Sequence, residues 1–377
     1  MSGGTLPSGF RSSSAAGPAG EFELQALDQF LARAEQEVRL LDRVRPRNTA
    51  RELARVKHSF QRGLRCSPEH APLQPSQLGP LRRVLERLAE RLAQAGPWGV
   101  LYAARARELE LEAAIADALG TADLRRRAAE RFPVEKGQAE RQARVWAQAW
   151  LDQPGAVDEP QHLSHDLRSP HSLVRQLQAE LKRRDLRVRL AFEPDLQSRA
   201  AVGDGVILLR PGVLLTERAA RRLVVHEVEG HVLPRESARL TELGLLRVGT
   251  AGGSDEQEGR ALLLERRAEL FDVERQFELA LRHQAGLQVR AGASFEDIVE
   301  LALGLAAPLD AALTLAERAL RGGGLGRELV YLPSLSRVES AFRMEPSLEA
   351  WFQRGRVSVA AARELAQIGP APQRLAA

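Results

Sequence analysis

The sequence predicts a predominantly helical α+β protein with a small antiparallel sheet and an N-terminal helical region. Most of the 377-residue chain repeats apolar residues at the spacing of an amphipathic helix. Two short apolar runs, at 188–192 and 206–209, have the composition of strands. The single cysteine, Cys66, excludes an internal disulfide and a cysteine-based metal site, so packing of these elements has to stabilise the fold.

The composition is typical of a globular protein in water, and it disfavours nucleic acids and membranes as partners. Charged residues make up 28% of the chain, and no run of about 18 apolar residues appears. The 54 basic residues face 50 acidic ones, so the formal net charge of +4 creates no strong attraction for a polyanion. One cysteine and the lack of a signal-peptide pattern fit a reducing compartment, and we expect a cytoplasmic protein.

The N-terminal part of the chain divides into a tail and a helical region. Residues 1–20 are rich in glycine, serine, alanine and proline, which predicts a disordered tail. Apolar periodicity within 21–153 then predicts six helices, at 21–41, 49–63, 80–92, 100–119, 124–132 and 137–151. We expect this helical region to form a wall against the second domain, which we place at 160–377.

A connection at 154–170 opens the second half of the chain, and its proline and aspartate content predicts a loop. His162, His165 and His171, in or beside it, have no acidic partner at helical spacing, so we interpret them as surface residues rather than as a second metal site. A helix at 172–183 leads into the two strands. A strand beside a cleft would let an extended peptide add to the sheet.

The next helix carries the motif Val224-Val225-His226-Glu227-Val228-Glu229-Gly230-His231-Val232-Leu233. In the common zinc-peptidase helix the two histidines lie four residues apart, and the glutamate after the first is the general base. Here the spacing is five, which turns the second ring roughly 140° from the first on an ideal α-helix. A π-bulge, which Gly230 would permit, restores convergence. The motif therefore predicts zinc ligands at His226 and His231, with Glu227 as catalytic base.

A third ligand is expected from the segment that follows. Ser254 and Gln257 form a capping-box pattern that predicts a helix start, and Glu258 lies one turn inside that helix. We therefore predict Glu258 as the third zinc ligand, in a zincin-like catalytic core. A long helix is expected at 261–284. Glu265 on it lies seven residues after Glu258, on the same face, either as a hydrogen-bond acceptor for a ligand imidazole or as an ordinary solvated glutamate.

These motifs resemble those of the tyrosine carboxypeptidase family, whose animal members are microtubule-associated and whose bacterial members are called flavohemoglobin expression-modulating QEGLA motif proteins. His226-Glu227 with His231, followed by Gln257-Glu258-Gly259-x-Ala261, carries the resemblance, and weaker similarity extends from about residue 46 to 344. The resemblance implies one zinc ion held by His226, His231 and Glu258, with Glu227 as base.

The sequence departs from the family pattern in three places. Glu229-Gly230 stands where relatives usually have Gly-Thr, Arg260 replaces the leucine of QEGLA, and the Asn-Gly that often follows the second histidine is absent around Arg235-Glu236. We expect the zinc chemistry to survive these changes, whereas the sequence does not determine whether the substrate preference does. The order His-Glu-x-x-Gly-His also resembles dipeptidyl peptidases of the third class, which are much longer chains.

Two helices around Pro308 are predicted within 295–320, and a glycine-rich segment, 321–331, follows them. Its glycines would let the backbone approach a ligand, and an arginine can bind a carboxylate through two hydrogen bonds. We expect Arg321 or Arg327 to hold a substrate's terminal carboxylate and Tyr331 to donate to the developing oxyanion. A flexible turn with a solvated arginine is the alternative.

Taken together, these features predict a zinc-dependent carboxypeptidase that removes the C-terminal residue of a peptide or protein. Two alternatives stay open. A dipeptidyl peptidase or aminopeptidase-type zinc hydrolase would need an acidic anchor for a free amine instead of an arginine for a carboxylate. A non-catalytic regulatory binding protein would have no need of a base at Glu227.

Overall fold

The computed structural model describes residues 21–152, 159–368 and 374–376. The expected tail at 1–20 lies outside these residues. The N-terminal region is helical as predicted, and its helices are α1 Leu24–Val38, α2 Leu40–Arg43, α3 Thr49–Gln61, α4 Gly79–Leu92, α5 Gly96–Asp117, α6 Leu124–Arg131 and α7 Gln138–Leu151. A short strand, β1 Glu21–Glu23, precedes them and pairs antiparallel with the last described segment, β7 Arg374–Ala376.

The middle of the chain forms the expected small sheet, but its strands do not all run antiparallel. The elements are β2 Gln161–Leu163, α8 Leu173–Arg183, β3 Arg189–Phe192, β4 Ala200–Val202, β5 Val206–Leu209 and β6 Leu214–Thr216. In the three-stranded sheet β5 is central, parallel to β3 and antiparallel to β4, while β2 pairs antiparallel with β6. The predicted antiparallel sheet is wrong in this respect, because the connection from β3 contains a further strand, β4. The predicted loop at 154–170 is likewise interrupted by β2.

The motif helix follows β6 directly and is continuous across three segments. They are α9 Glu217–Val224, a π-helical segment Val225–Val232 and α10 Leu233–Leu240. Thr216 caps the start of α9, since its hydroxyl accepts a hydrogen bond from the Ala219 amide at 3.1 Å. Val228 and Val232 pack into the core that α8, α9 and β5 share. This apolar contact anchors one face of the helix to the sheet.

The segment after the motif helix differs from the single long helix predicted at 261–284. It contains α11 Gly244–Val248, α12 Gly253–Arg267 and α13 Val273–Arg290. Glu269 adopts a left-handed backbone conformation (φ 59°) just after α12, and the Asp272 carboxylate caps α13 by accepting from the Arg275 amide. The predicted capping box is also wrong, because Gly252 is the residue before α12 and no side chain caps that helix.

The remaining elements include the two helices expected around Pro308. They are α14 Phe295–Gly304, α15 Leu309–Ala319, the short turn α16 Arg321–Gly324, a 3₁₀ turn Arg327–Val330, α17 Tyr331–Met344, a 3₁₀ turn Pro346–Leu348, α18 Glu349–Phe352 and α19 Val359–Gln367. The largest apolar core contains residues of the N-terminal helices together with residues of α12 and α17, so the two parts of the chain share it. Among the described helices, none combines the length and the apolar character that crossing a bilayer requires.

Candidate active site

The motif helix is widened where its two histidines lie. Residues Val225–Val232 are π-helical, and the Leu233 amide donates to the Val228 carbonyl five residues earlier. The wider turn offsets the extra residue in the motif, so the rings of His226 and His231 lie 5.0 Å apart, centroid to centroid. The predicted π-bulge is confirmed. Gly230 serves a different purpose from the one expected, because a Cβ there would lie 2.6 Å from Cβ of Ala261. Glycine thus allows close packing against α12.

Helix α12 brings Glu258 to the two histidines. It packs between the motif helix and α17, and a Cβ at Gly259 would lie 2.4 Å from the backbone carbonyl carbon of Ser334 on α17. Gly259, which is unfavourable inside a helix on propensity alone, is therefore required for the close approach of two helices. Because α12 is held from both sides, the Glu258 side chain is directed toward the motif helix.

The three predicted ligands converge on one point. His226 Nε2 and His231 Nε2 lie 3.4 and 3.8 Å from the same carboxylate oxygen, Oε2 of Glu258. Ligands about 2.0 to 2.1 Å from a tetrahedral zinc ion are separated by roughly 3.4 Å, so the two distances to Glu258 are close to those around such an ion. In the part of the chain that the structure describes, this is the one group of three potential ligands that converges. His162, His165 and His171 do not form another.

Hydrogen bonds on the far side of each imidazole orient the two rings. His226 Nδ1 donates to Glu265 Oε1 at 2.6 Å, and His231 Nδ1 donates to Gln257 Oε1 at 3.2 Å. Both Nε2 atoms are therefore left to face Glu258, which is the tautomer that a metal ligand needs. Of the two sequence-based interpretations of Glu265, the structure supports the acceptor, since this residue is 1% exposed. Gln257 was predicted only as part of a cap.

Buried arginines hold Glu265 in turn. Arg275 donates to both of its carboxylate oxygens, at 2.9 and 3.0 Å, and Arg222 lies 3.9 Å away. Burial opposes the negative charge, but Arg275 and the bond from His226 outweigh it and lower the pKa of Glu265 to about 2. Neither arginine was predicted. Arg275 begins the helix that the sequence did not separate from α12, so no spacing rule connected it to the motif.

The charges at the site favour a cation between the ligands. Burial disfavours a charged imidazole, but the bonds to Glu258 and Glu265 outweigh it and raise the pKa of His226 to about 10, so the acids around this ring hold a proton at the position that a metal ion would take. Burial also opposes the charge of Glu258, yet His226, His231 and Arg327 together bring its pKa well below the usual range. A carboxylate that stays ionised beside two imidazoles is the donor set that zinc takes in hydrolytic enzymes.

Glu227 has a different environment from the other acids of the site. It is 5% exposed, it lines the cleft, and no hydrogen bond to another described residue holds its carboxylate. Burial, aided by the negative charges of Glu258 and Glu265, raises the pKa of Glu227 to about 7 despite His226. A carboxylate with a pKa near neutrality can both accept and return a proton at physiological pH.

The residues predicted on the glycine-rich segment separate into two groups. Arg327 donates to Glu258 Oε1 at 3.1 Å and to the Tyr331 hydroxyl at 3.0 Å, so this arginine is already engaged. Arg321 has no hydrogen bond or ion pair to any described residue, and burial together with Arg318 and Arg327 lowers its pKa to about 10. Arg321 is therefore the arginine whose guanidinium an incoming anion would stabilise.

The site opens into a cleft of about 1570 Å³. Residues between 39 and 57 line one wall, as the expected role of the N-terminal region implies. Strand β4 lines the cleft as well, and so do Arg321, Arg327 and Tyr331. The ring of Tyr331 is covered by Arg282, whose guanidinium carbon lies 3.7 Å from the ring centroid, in an arrangement that sequence reasoning missed. All of the predicted site residues thus face one cleft.

Replacing Glu265 by alanine is expected to weaken zinc binding about 10- to 100-fold, because His226 loses the acceptor that orients its ring. Competition with a chelator of known affinity measures this change. Glu328→Ala is the matched control, since Glu328 is an equally buried glutamate that pairs with Arg282 and contacts neither imidazole. Both variants should unfold at lower temperature, because each removes a buried carboxylate that bonds to a buried arginine. Equal zinc affinities in the two variants would contradict the orienting role of Glu265.

Comparison with known proteins gives one assignment. No curated protein matches the chain. A family model described as microtubule-associated tyrosine carboxypeptidase matches residues 58–369, which is most of the sequence. The matched range includes the motif helix, α12 and the segment around Tyr331, and the family implies a carboxypeptidase-type activity. The chain therefore belongs to the microtubule-associated tyrosine carboxypeptidase family.

Proposed function

We propose that this protein is a zinc-dependent metallocarboxypeptidase that removes the C-terminal residue of a peptide or protein. One observation carries the proposal. The two Nε2 atoms and the Glu258 oxygen lie within 4.8 Å of one another at the cleft, and Glu227 follows His226 directly. His226, His231 and Glu258 would hold one zinc ion per chain. When bound, zinc supplies a Lewis acid that polarises a carbonyl group and acidifies water.

Glu227 acts as the general base in this proposal. It accepts a proton from the water that attacks the carbonyl carbon of the last peptide bond, and it returns the proton to the amine that leaves. Its burial at the cleft, with no hydrogen bond from another described residue, leaves its carboxylate free to take that proton. Water adds to the carbonyl carbon, the carbon–nitrogen bond then breaks, and the products are a shortened peptide and a free amino acid.

Tyr331 and Arg321 act on the substrate. The Tyr331 hydroxyl accepts a hydrogen bond from Arg327, and its own hydrogen has no acceptor among the described residues, so it can donate to the oxyanion that develops on the carbonyl oxygen. Arg321 binds the terminal carboxylate. Arg327 positions the groups around it, because it connects the third ligand to Tyr331.

Strand β4 supplies the binding edge for the rest of the peptide. The Gly203 amide donates to the Val206 carbonyl, and the Arg210 amide donates to the Arg199 carbonyl. In an antiparallel pair the backbone N–H and C=O groups of every second residue face the neighbouring strand, so those of residues 199, 201 and 203 face β5. The backbone groups of Ala200 and Val202 point to the opposite edge, where no described strand pairs with them. An extended substrate that lies in the cleft can add to this edge.

Peptides blocked at one end or the other distinguish this activity from its alternatives. We expect the zinc-loaded protein to shorten a peptide with a free C-terminus by one residue, to accept an acetylated N-terminus, and to leave a C-terminal amide intact. Mass spectrometry of the products measures this. Cleavage that requires a free N-terminus would instead indicate an aminopeptidase or dipeptidyl peptidase, and zinc binding without any cleavage would indicate a regulatory binding protein.

Replacing Arg321 by methionine is expected to raise KM about 10- to 100-fold for a peptide with a free C-terminus, since a charge-assisted contact with the carboxylate is lost. Steady-state kinetics measure this change. Arg45→Met removes the same charge from another residue that lines the cleft, where Arg45 pairs with Glu193 at 2.9 Å, and it should alter KM about twofold at most. A rise of equal size in both variants would indicate a general effect of charge and contradict the anchor.

A further inference from the structure

One backbone carbonyl between the two histidines has no donor within its own helix. In an α-helix the Glu229 carbonyl would accept from the amide of Leu233, four residues later. In the π-helical segment the Leu233 amide donates to the Val228 carbonyl instead. The residue five positions later is Pro234, which has no N–H. The Glu229 carbonyl therefore has neither of its possible helical donors. The Leu233 amide bonds elsewhere, and Pro234 has no N–H to offer. A buried carbonyl without a donor costs about 1 to 3 kcal/mol.

A side chain from the neighbouring helix supplies the missing donor. Arg260 NH1 donates to the Glu229 carbonyl at 2.8 Å and lies 3.5 Å from the Gly230 carbonyl. Arg260 is 6% exposed and lies two residues after Glu258 on α12, and its Nε has no hydrogen-bond partner in the described part of the chain. This residue departs from the family motif, in which leucine cannot donate a hydrogen bond.

We propose that Arg260 is a positioning residue for the metal centre. Its guanidinium replaces the amide that Pro234 lacks and holds the widened turn between His226 and His231 against α12. The third ligand, Glu258, lies on the same turn of α12 as Arg260, so one contact sets the distance between the two ligand-bearing helices. The effect on zinc rests on the proposed function, whereas the effect on the motif helix does not.

The Glu229 side chain takes no part in this contact. Its carboxylate pairs with Arg184 at 2.6 Å, on the far end of α8, whereas Arg260 uses the backbone carbonyl of the same residue. Removing the side chain therefore leaves the acceptor in place. The departures at Glu229 and Arg260 therefore act independently, and Glu229→Ala should leave zinc affinity within about twofold of the wild type because the pair with Arg184 is partly exposed.

Two readouts on Arg260→Met test the proposal. Chelator competition should show zinc affinity about 10- to 100-fold weaker. Hydrogen exchange of the metal-free protein should be faster by a similar factor in peptides covering 225–236, with the remainder unchanged. Arg260→Lys, which retains a donor, should recover part of both losses. Arg267→Met, which removes an exposed arginine of α12 that pairs with Glu349, should change neither readout.

A second substitution gives the decisive result. Pro234→Ala restores an N–H that can reach the Glu229 carbonyl, so it should recover both readouts in the Arg260→Met background and change the wild type little. If Pro234→Ala did not restore zinc affinity and slow exchange in the Arg260→Met background, the loss would come from altered side-chain packing, and the proposal would be overturned. Unchanged hydrogen exchange at 225–236 in Arg260→Met would also overturn it. If the wild type binds no zinc, the proposed function fails, and hydrogen exchange alone still decides the role of Arg260.

Discussion

Replacing Glu227 by glutamine should abolish peptide hydrolysis while the protein keeps its zinc. Glutamine has nearly the same shape but cannot accept the proton of the attacking water, so kcat should fall about 10²- to 10⁴-fold. Glu227 is not among the three converging ligands, and its loss removes no metal-binding atom. Steady-state kinetics with a peptide that has a free C-terminus, together with elemental analysis of the same preparation, measure both quantities.

Glu229→Gln is the matched control for this experiment. It makes the same chemical change two residues further along the same helix, where the side chain pairs with Arg184 on the outside of the site. We expect its kcat to stay within about twofold of the wild type, since a partly exposed ion pair contributes little. If Glu227→Gln retained near-wild-type turnover, the base would have to be another group, and the mechanism proposed for Glu227 would be wrong.

Replacing Glu258 by alanine should remove zinc from the purified protein. The wild type is expected to contain close to one zinc per chain, and the variant should contain almost none, because two imidazoles alone bind the ion far more weakly than a three-ligand site. Elemental analysis of protein purified without added zinc measures this directly. Activity should be lost in proportion to the metal content.

Glu256→Ala tests whether such a loss is specific. Glu256 lies two residues earlier on α12 and is also buried, but its carboxylate accepts from Arg337 and from the Val359 amide rather than facing the histidines. This variant should be less stable than the wild type and still bind zinc. Retention of zinc by Glu258→Ala would remove Glu258 from the ligand set. A wild type that took up no zinc even on reconstitution would favour a regulatory binding protein.

Local sequence patterns were sufficient for most helices and for the three residues that converge at the cleft. A helix with an apolar face is determined by residues three and four apart, so α1, α3, α5, α7 and α14 lie close to the predicted ranges. The break between α12 and α13 was missed, because the apolar periodicity continues across it. The left-handed residue there is Glu269, a residue type that gives no turn signal, and the Leu270 amide ends α12 around it by donating to the Glu265 carbonyl.

The sequence by itself predicted that His226, His231 and Glu258 lie together with Glu227 beside them, and that the five-residue spacing requires a widened helix. Only the tertiary structure decided how these groups are held. Arg275 fixes Glu265, Arg327 is bound to Glu258 while Arg321 has no partner among the described residues, and Arg260 replaces the donor missing at Pro234. These contacts join residues from 10 to 69 positions apart. No local pattern encodes such pairs, because their geometry arises only when separate helices pack together.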